Sequence, residues 1–218
     1  MNQKNILITG YEPFGGDAVN PSLDLAKTLS GTVYKDFVFQ YAKIPVNRQK
    51  CVPTMIEAIQ CYQPEIVICT GLAYGRAAIS IERTAVNIAD FPFPDNEGYI
   101  ALNESIDPTG DTAYFSTLPI RAIMKNIQQA GIPAYVSNSA GTYCCNMLMY
   151  GTLNYIKKNN LDIRAGMLHV PYTPDMAITK GSDMPSMSLN NMIQAIKLAA
   201  ITAIETNEDI SLICGAAQ

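Results

Sequence analysis

The stretch EIVICTG, residues 65–71, is largely apolar and ends in a glycine. Such a run is typical of a strand that is covered on both faces, as the strands of parallel sheets are. A helical pattern precedes it over residues 46–62, and another extended stretch follows over residues 78–89. The stretch therefore indicates an α/β protein built around a largely parallel sheet.

The rest of the chain continues this alternation of strands and helices. Apolar runs with turn residues at their ends predict the strands, at residues 5–9, 32–45, 65–71, 78–89, 133–138 and 163–170. Apolar residues at helical spacing predict the helices, at residues 20–29, 46–62, 118–130, 145–158 and 189–204. We predict that residues 90–112 form a long surface excursion and that residues 172–187 form an irregular loop. We expect residues 1–218 to form a single-domain α/β/α sandwich with a mostly parallel, twisted sheet.

The composition narrows the classes of partner. Hydrophobic residues make up 48% of the 218 residues and charged residues 16%, which is enough apolar side chain for a sizeable core. The net charge is −4, and no cluster of Lys and Arg favours nucleic acid or an anionic membrane. No apolar stretch reaches the about 18 residues of a membrane span, and the N-terminal apolar run is too short for a secretory signal. We therefore expect a cytoplasmic protein with six free thiols, and no cysteine or histidine spacing predicts a metal site.

The sequence SNSAGTYCCN, residues 137–146, places two neighbouring cysteines after a strand and a turn of small residues. Cys145 lies where the next helix is predicted to begin. The N-terminus of a helix stabilises a thiolate through its dipole and free N–H groups, and the same N–H groups can bind a developing oxyanion. This position suits a nucleophilic thiol.

Two further residues complete a possible catalytic group. His169, the one histidine of the chain, lies at the end of the predicted strand 163–170, and its pKa would suit a base for the thiol. Glu82 lies within an extended apolar segment, where a buried carboxylate needs a partner and could orient the imidazole. The pattern also allows a simpler interpretation, in which the cysteines pack in the core, the histidine is structural and Glu82 pairs with Arg76.

The glycine-rich loop at residues 10–16, GYEPFGG, follows the first predicted strand and raises the alternative of a phosphate site. It lacks the spacing of the known nucleotide-binding loops. Tyr11 and Phe14 suit the wall of an apolar pocket better.

Five segments together resemble the pyroglutamyl peptidase I family, the pyrrolidone-carboxylate peptidases. They are ordered along the chain from residue 6 to 172, and in sequence they read ILITGYEPFGG with NPS, ISIERTAVN, PDNEG with AYFSTLP, SNSAGTYCCN, and LHVPY. The resemblance implies an α/β/α fold, no cofactor, a cytosolic location and often a homotetramer. It also implies a cysteine exopeptidase whose substrates are peptides with an N-terminal pyroglutamate.

The resemblance also assigns roles to residues. The family nucleophile is the cysteine directly before asparagine, which is Cys145, and His169 and Glu82 take the other two positions of the triad. The residues implied to bind the pyroglutamyl ring are Tyr11, Phe14, Leu72, Phe93, Tyr143 and Cys144.

The chain departs from the family pattern at three positions. Pro92 takes the place of a common arginine, Leu72 that of a glutamine, and Tyr74 that of a small residue. Two alternatives follow from the sequence: a nucleoside phosphorylase-like transferase with phosphate on the 10–16 loop, and a pyroglutamyl-binding homologue with little turnover.

Overall fold

The computed structural model describes residues 3–181 and 183–215. The strands are β1 (Lys4–Tyr11), β2 (Val33–Tyr34), β3 (Phe37–Ile44), β4 (Ile66–Leu72), β5 (Ile79–Glu82), β6 (Thr84–Val86), β7 (Ala113–Phe115), β8 (Ala134–Ser137) and β9 (Arg164–Val170). The helices are α1 (Pro21–Leu29), α2 (Cys51–Tyr62), α3 (Ile120–Gln129), α4 (Cys144–Lys158), α5 (Pro174–Lys180) and α6 (Leu189–Glu205). The sequence therefore predicted an extended segment at each strand of the central sheet, with β2 and β3 joined in the single segment 32–45, and it predicted five of these six helices.

The main sheet has seven strands in the order β2-β3-β1-β4-β9-β5-β8. The pairs β1–β3, β1–β4, β4–β9 and β5–β8 are parallel, whereas β2–β3 and β5–β9 are antiparallel. The apolar stretch that indicated the fold, β4, is the middle strand, and all seven of its residues are buried. This confirms the predicted mixed α/β fold with a mostly parallel sheet.

Helices cover both faces of the sheet. Since successive strand residues point to opposite faces, a strand that is buried throughout packs against helices of both layers. Ile66 and Ile68 of β4 pack in one core with α1, α3 and α6. Val67 and Cys69 of the same strand pack in a second core with α2 and α4. The fully buried strand thus joins two apolar layers, which gives the α/β/α arrangement.

The start of α1 shows how local chemistry links a helix to the sheet. The side chain of Asn20 caps the helix by accepting a hydrogen bond from the N–H of Ser22, and Pro21 occupies the first turn. The hydroxyl of Ser22 in turn accepts a hydrogen bond from the N–H of Tyr11 at the end of β1. The short NPS segment therefore fixes where β1 ends and where Tyr11 lies.

The structure corrects three of the predictions. Residues 174–180 of the predicted irregular loop 172–187 form α5, which starts with Pro174 and is followed by Gly181, as is common for helices. Ser182 of that loop lies outside the described residues. The helix predicted over residues 46–62 begins at Cys51, because the side chain of Asn47 accepts hydrogen bonds from the N–H groups of Gln49 and Lys50 and holds a turn there.

The third correction concerns the 90–112 segment, which is irregular as predicted but is not confined to the surface. Phe91, Asp95 and Ala101 are buried. The Asp95 carboxylate accepts hydrogen bonds from three backbone N–H groups, those of Arg48, Glu97 and Tyr99. The segment is therefore packed onto the domain against the turn before α2 and, through the Asn96 side chain, against the loop that follows β1.

Within the described residues, none of the helices is both long and apolar enough to cross a membrane.

Candidate active site

A cavity of about 420 Å³ opens beside the ends of β4 and β9. All six residues predicted to bind a substrate ring line it: Tyr11, Phe14, Leu72, Phe93, Tyr143 and Cys144. Cys145 and His169 line it as well, while Glu82 lies behind His169. The structure thus brings the predicted residues together, although they come from distant parts of the chain.

Cys145 is the second residue of α4 and is partly exposed to the cavity. Its position on the first turn leaves nearby backbone N–H groups without partners inside the helix. Gly71, in β4, makes the close approach of the sulfur possible. A Cβ at residue 71 would lie 2.9 Å from Cys145 Sγ and 3.4 Å from His169 Nε2, so both reactive atoms lie around the same small gap.

His169 is buried near the end of β9 and is held from one side by Glu82. Its Nδ1 lies 2.8 Å from Oε1 of Glu82, which leaves Nε2 for the cavity. Burial lowers the pKa of the imidazole, but the charge of Cys145 and hydrogen bonds to Cys145 and Glu82 outweigh it and raise the pKa to about 9. The imidazole is therefore suited to hold a proton beside the sulfur at neutral pH.

Glu82 is completely buried at the end of β5. Burial raises the pKa of this carboxyl, but the hydrogen bond from His169 and the charges of His169 and Arg76 outweigh it, so that the pKa lies below its usual value. Arg76 Nη1 donates to the same Oε1 at 2.7 Å. Glu82 is thus an anion between two cationic partners, and the two pairings that the sequence left as alternatives both occur.

The strand directions that produce this arrangement were not predicted. β5 and β8 run antiparallel to β9, so β8 does not end at the same edge of the sheet as β9. The segment 138–143 carries the chain from the end of β8 to the start of α4 beside His169. Glu82 reaches the imidazole because β5 pairs directly with β9, with Ser80 opposite His169 in the register.

Cys144 and Cys145 have different surroundings. Cys144 is 1% exposed, and burial raises the pKa of its thiol far above the usual value. Its carbonyl oxygen accepts a hydrogen bond of 2.7 Å from the Tyr11 hydroxyl, which ties the start of α4 to the end of β1. Cys144 therefore has the environment of a neutral, buried side chain, whereas Cys145 faces the cavity.

An aromatic group forms one wall of the cavity. The rings of Phe14 and Phe93 are stacked with centroids 6.4 Å apart, and Tyr143 contacts Phe93 at 4.7 Å and Phe91 at 4.6 Å. These rings come from three segments: the loop after β1, the 90–112 segment and the start of α4. They offer an apolar surface to a flat, uncharged ring.

The loop at residues 10–16 does not have the features of a phosphate site. Phe14 lies in the cavity wall, and the Glu12 carboxylate accepts hydrogen bonds from the Val46 N–H and the Asn96 side chain. These two N–H donors next to the loop, from Val46 and Asn96, are thus bonded to a carboxylate of the loop itself and do not face a phosphate site. The predicted apolar role of the loop agrees with this geometry.

Sequence reasoning missed several residues of the cavity. Val46, Ala73 and the segment 140–142 line it, as do the three residues noted for other reasons, Tyr74, Arg76 and Pro92. The small residues of SNSAGTYCCN were a signal for the 140–142 segment, since a close approach to a ligand favours small side chains. No comparable signal marked Val46 or Ala73, which are ordinary apolar residues in the sequence.

Asn146, directly after the cysteine pair, is also a structural residue of the site. Its buried amide accepts a hydrogen bond from the Val86 N–H and donates to the carbonyls of Val86 and Ile88. These bonds hold β6 against the first turn of α4. The arrangement as a whole has a thiol, an imidazole with an anionic partner, and helix N–H groups around one apolar cavity, and such groups together can perform acyl transfer through a thioester.

A family model and curated relatives match nearly the whole chain. The model of the family "Pyroglutamyl peptidase" matches residues 4–206. The chain is 41% identical over 208 residues to the pyrrolidone-carboxylate peptidase of Bacillus subtilis, covering 95% of this chain and 96% of that protein. It is 44% identical over 207 residues to the enzyme of the same name from Vibrio parahaemolyticus, with the same coverage.

Solved structures give the same result. The pyroglutamyl peptidase I of Bacillus amyloliquefaciens matches with a TM-score of 0.93 at 40% identity, covering 96% of this chain and 99% of that one. The pyrrolidone carboxyl peptidase of Thermococcus litoralis also matches with a TM-score of 0.93, at 39% identity and the same coverage. This chain belongs to the pyroglutamyl peptidase family.

Proposed function

We propose that the protein is a cysteine exopeptidase that removes an N-terminal pyroglutamyl residue from peptides. The observation that carries this proposal is that Cys145 and His169 line one apolar, aromatic-walled cavity, with Glu82 bonded to the imidazole. The chain that holds this arrangement belongs to the pyroglutamyl peptidase family. In this proposal Cys145 is the nucleophile, His169 the base and acid, and Glu82 the residue that orients the imidazole.

The first half of the reaction forms a thioester. The Cys145 thiolate attacks the carbonyl carbon of the pyroglutamyl residue, and the carbonyl oxygen becomes an oxyanion. Backbone N–H groups on the first turn of α4 stabilise this oxyanion. The carbon–nitrogen bond then breaks, and protonated His169 gives its proton to the leaving amine of the shortened peptide.

The second half regenerates the enzyme. Neutral His169 takes a proton from a water molecule, whose oxygen attacks the thioester carbon. The carbon–sulfur bond breaks, free pyroglutamate leaves, and Cys145 returns to the thiolate paired with the imidazolium. Throughout, Glu82 accepts the hydrogen bond from Nδ1–H and so keeps Nε2 directed to the cavity.

The substrate ring matches the lining of the cavity. Pyroglutamate is a small uncharged lactam without a free α-amine, and we propose that Tyr11, Phe14, Leu72, Phe93, Tyr143 and Cys144 enclose it. Buried hydrogen bonds to the lactam would be lost with proline, whose ring has no carbonyl. Leaving one such partner unpaired costs about 1–3 kcal/mol, which predicts that prolyl substrates are rejected.

We also propose that residues 1–218 form one such domain, that the protein is cytoplasmic and that it assembles as a homotetramer. Phe115, Leu102 and Ile213 are large apolar side chains exposed on the described surface, and covering them between chains would favour an assembly. Sedimentation at about four times the 23.7 kDa chain mass is the expected result, and a monomer at micromolar concentration would refute the tetramer.

The test of the activity is turnover of a fluorogenic pyroglutamyl amide beside the matching prolyl amide. We expect hydrolysis of the first at a rate roughly 5- to 150-fold above the second, because a penalty of about 1–3 kcal/mol converts at a factor of ten for each about 1.4 kcal/mol. Iodoacetamide should abolish it. Tight binding of pyroglutamate without any turnover would contradict the peptidase proposal and favour a binding protein.

A further inference from the structure

Arg76 lines the cavity and has no role in the mechanism described above. Its Nη1 donates to Oε1 of Glu82 at 2.7 Å, and His169 Nδ1 lies 2.8 Å from the same oxygen. The two nitrogens therefore lie no more than 5.5 Å apart. Arg76 also donates to the hydroxyl of Ser80, the residue opposite His169 in the sheet, which fixes the guanidinium in place.

Groups from two elements of the fold face the imidazole of His169. Glu82 and Ser80 face it from β5, and Cys145 faces it from α4. Ser137, on β8, is next to Glu82 in the register. Among the described residues that line the cavity, Arg76 is the one arginine or lysine.

The proposed reaction requires His169 to lose its proton once and to regain it once in each cycle. When His169 is neutral, Glu82 would be a fully buried carboxylate with no cationic partner if Arg76 were absent. An unpaired charge in that position is costly, so the carboxylate alone would hold the proton on the imidazole. A permanent cation on the same oxygen removes that penalty.

We propose that Arg76 is a positioning residue that keeps Glu82 ionised and paired in every step, and so makes His169 able to release its proton to the leaving group. The inference rests on the proposed function for its catalytic part. Its electrostatic part concerns His169 alone: without Arg76, the imidazole should bind its proton more tightly.

The direct test is the titration of the imidazole by NMR. Because the chain has a single histidine, its imidazole signals report His169 without assignment. In Arg76→Gln the midpoint should rise by about one pH unit or more relative to wild type, as expected for removing a cation at this distance. Arg76→Lys, which keeps the charge, should stay close to wild type.

A matched control is Arg83→Gln. Arg83 is the residue after Glu82, but its guanidinium contacts Cys214 and does not line the cavity. This variant should leave the midpoint unchanged. An Arg76→Gln midpoint equal to or below that of wild type would overturn the proposal, and so would an equal rise in Arg83→Gln.

Kinetics separate a proton-transfer role from general damage to the site. Arg76→Gln should lose at least roughly tenfold in kcat on a pyroglutamyl amide, whose amine must be protonated to leave. On an activated aryl ester of pyroglutamate, whose leaving group departs as an anion, the loss should be several times smaller. Equal losses on both substrates would contradict the proposed role. A wild-type protein without turnover would contradict the peptidase function instead, because the NMR titration needs no substrate.

Discussion

Cys144 and Cys145 differ in burial rather than in chemistry. Cys144 packs in the core beneath the first turn of α4, while Cys145 faces the imidazole of His169 across Gly71. Burial alone makes an anion of Cys144 unfavourable at neutral pH, because it raises the pKa of that thiol. The proposed division of roles between the two thiols follows from this difference of environment.

His169→Ala tests whether the imidazole supports the thiolate. The variant loses the cation next to Sγ, so alkylation of Cys145 by iodoacetamide near neutral pH should be roughly tenfold slower than in wild type. The measurement is the rate of modification at Cys145, read by mass spectrometry from pH 6 to pH 10.

The sign of the pH dependence is set by the imidazole, whose pKa is raised to about 9. Below that pH the cation is present in wild type, and the difference from His169→Ala should be large. Above it the imidazole is neutral, and the two rates should converge. An unchanged rate in His169→Ala at pH 7 would remove His169 from its proposed role.

The residue types of the site could be predicted from the sequence, but their protonation could not. The motif around Cys145 and the single histidine pointed to two residues that the structure brings to one cavity. The pKa directions depend on contacts between distant segments, such as that of His169 with Glu82, and no spacing along the chain specifies them.

At the scale of elements, two glycines mark places where strands approach other groups closely. In β1, a Cβ at Gly10 would lie 2.1 Å from the backbone oxygen of Ser22, so no side chain fits between β1 and α1. In β4, a Cβ at Gly71 would meet the ends of two side chains, Cys145 and His169. The first contact concerns packing, and the second concerns the reactive atoms.

Gly71→Ala and Gly10→Ala should therefore fail in different ways. The added methyl group at residue 71 should push Sγ and the imidazole apart and lower kcat/KM at least tenfold, with a loss of stability below about 1.5 kcal/mol. The methyl group at residue 10 should lower the free energy of unfolding by about 1–3 kcal/mol or more, because backbone must move. Urea denaturation and amide hydrolysis measure the two effects. A fully active Gly71→Ala protein would contradict the close approach described here.

Elements with strong periodicity were the most predictable. The apolar run of β4 and the spacing of α6 each left one interpretation, whereas α5 was missed although Pro174, Asp175 and Gly181 mark its ends. The sequence analysis predicted an irregular loop over residues 172–187 instead. In the folded chain, Met176 and Ala177 are buried against Leu72 and Tyr172, and this tertiary contact gives the short helix its apolar face.

At the scale of the whole molecule, the fold follows from one property of the sequence, namely strands that are apolar on both faces. This property predicts helices on both sides and hence the site at an edge of the sheet. This property does not predict the reversed direction of β5 and β8. That direction depends on the pairing of β5 with β9, which lies more than 80 residues further along the chain. The packing of the 90–112 segment onto the cavity is likewise set by hydrogen bonds such as those of Asp95.

The central claim is that Cys145, and not its neighbour, carries the acyl group. The most direct test is hydrolysis of a pyroglutamyl amide by Cys145→Ser and Cys144→Ser, with both proteins shown to be folded by circular dichroism. We predict that Cys145→Ser has no measurable activity while Cys144→Ser keeps most of the wild-type rate. Comparable activity in the Cys145→Ser protein, or its loss in Cys144→Ser alone, would contradict the account.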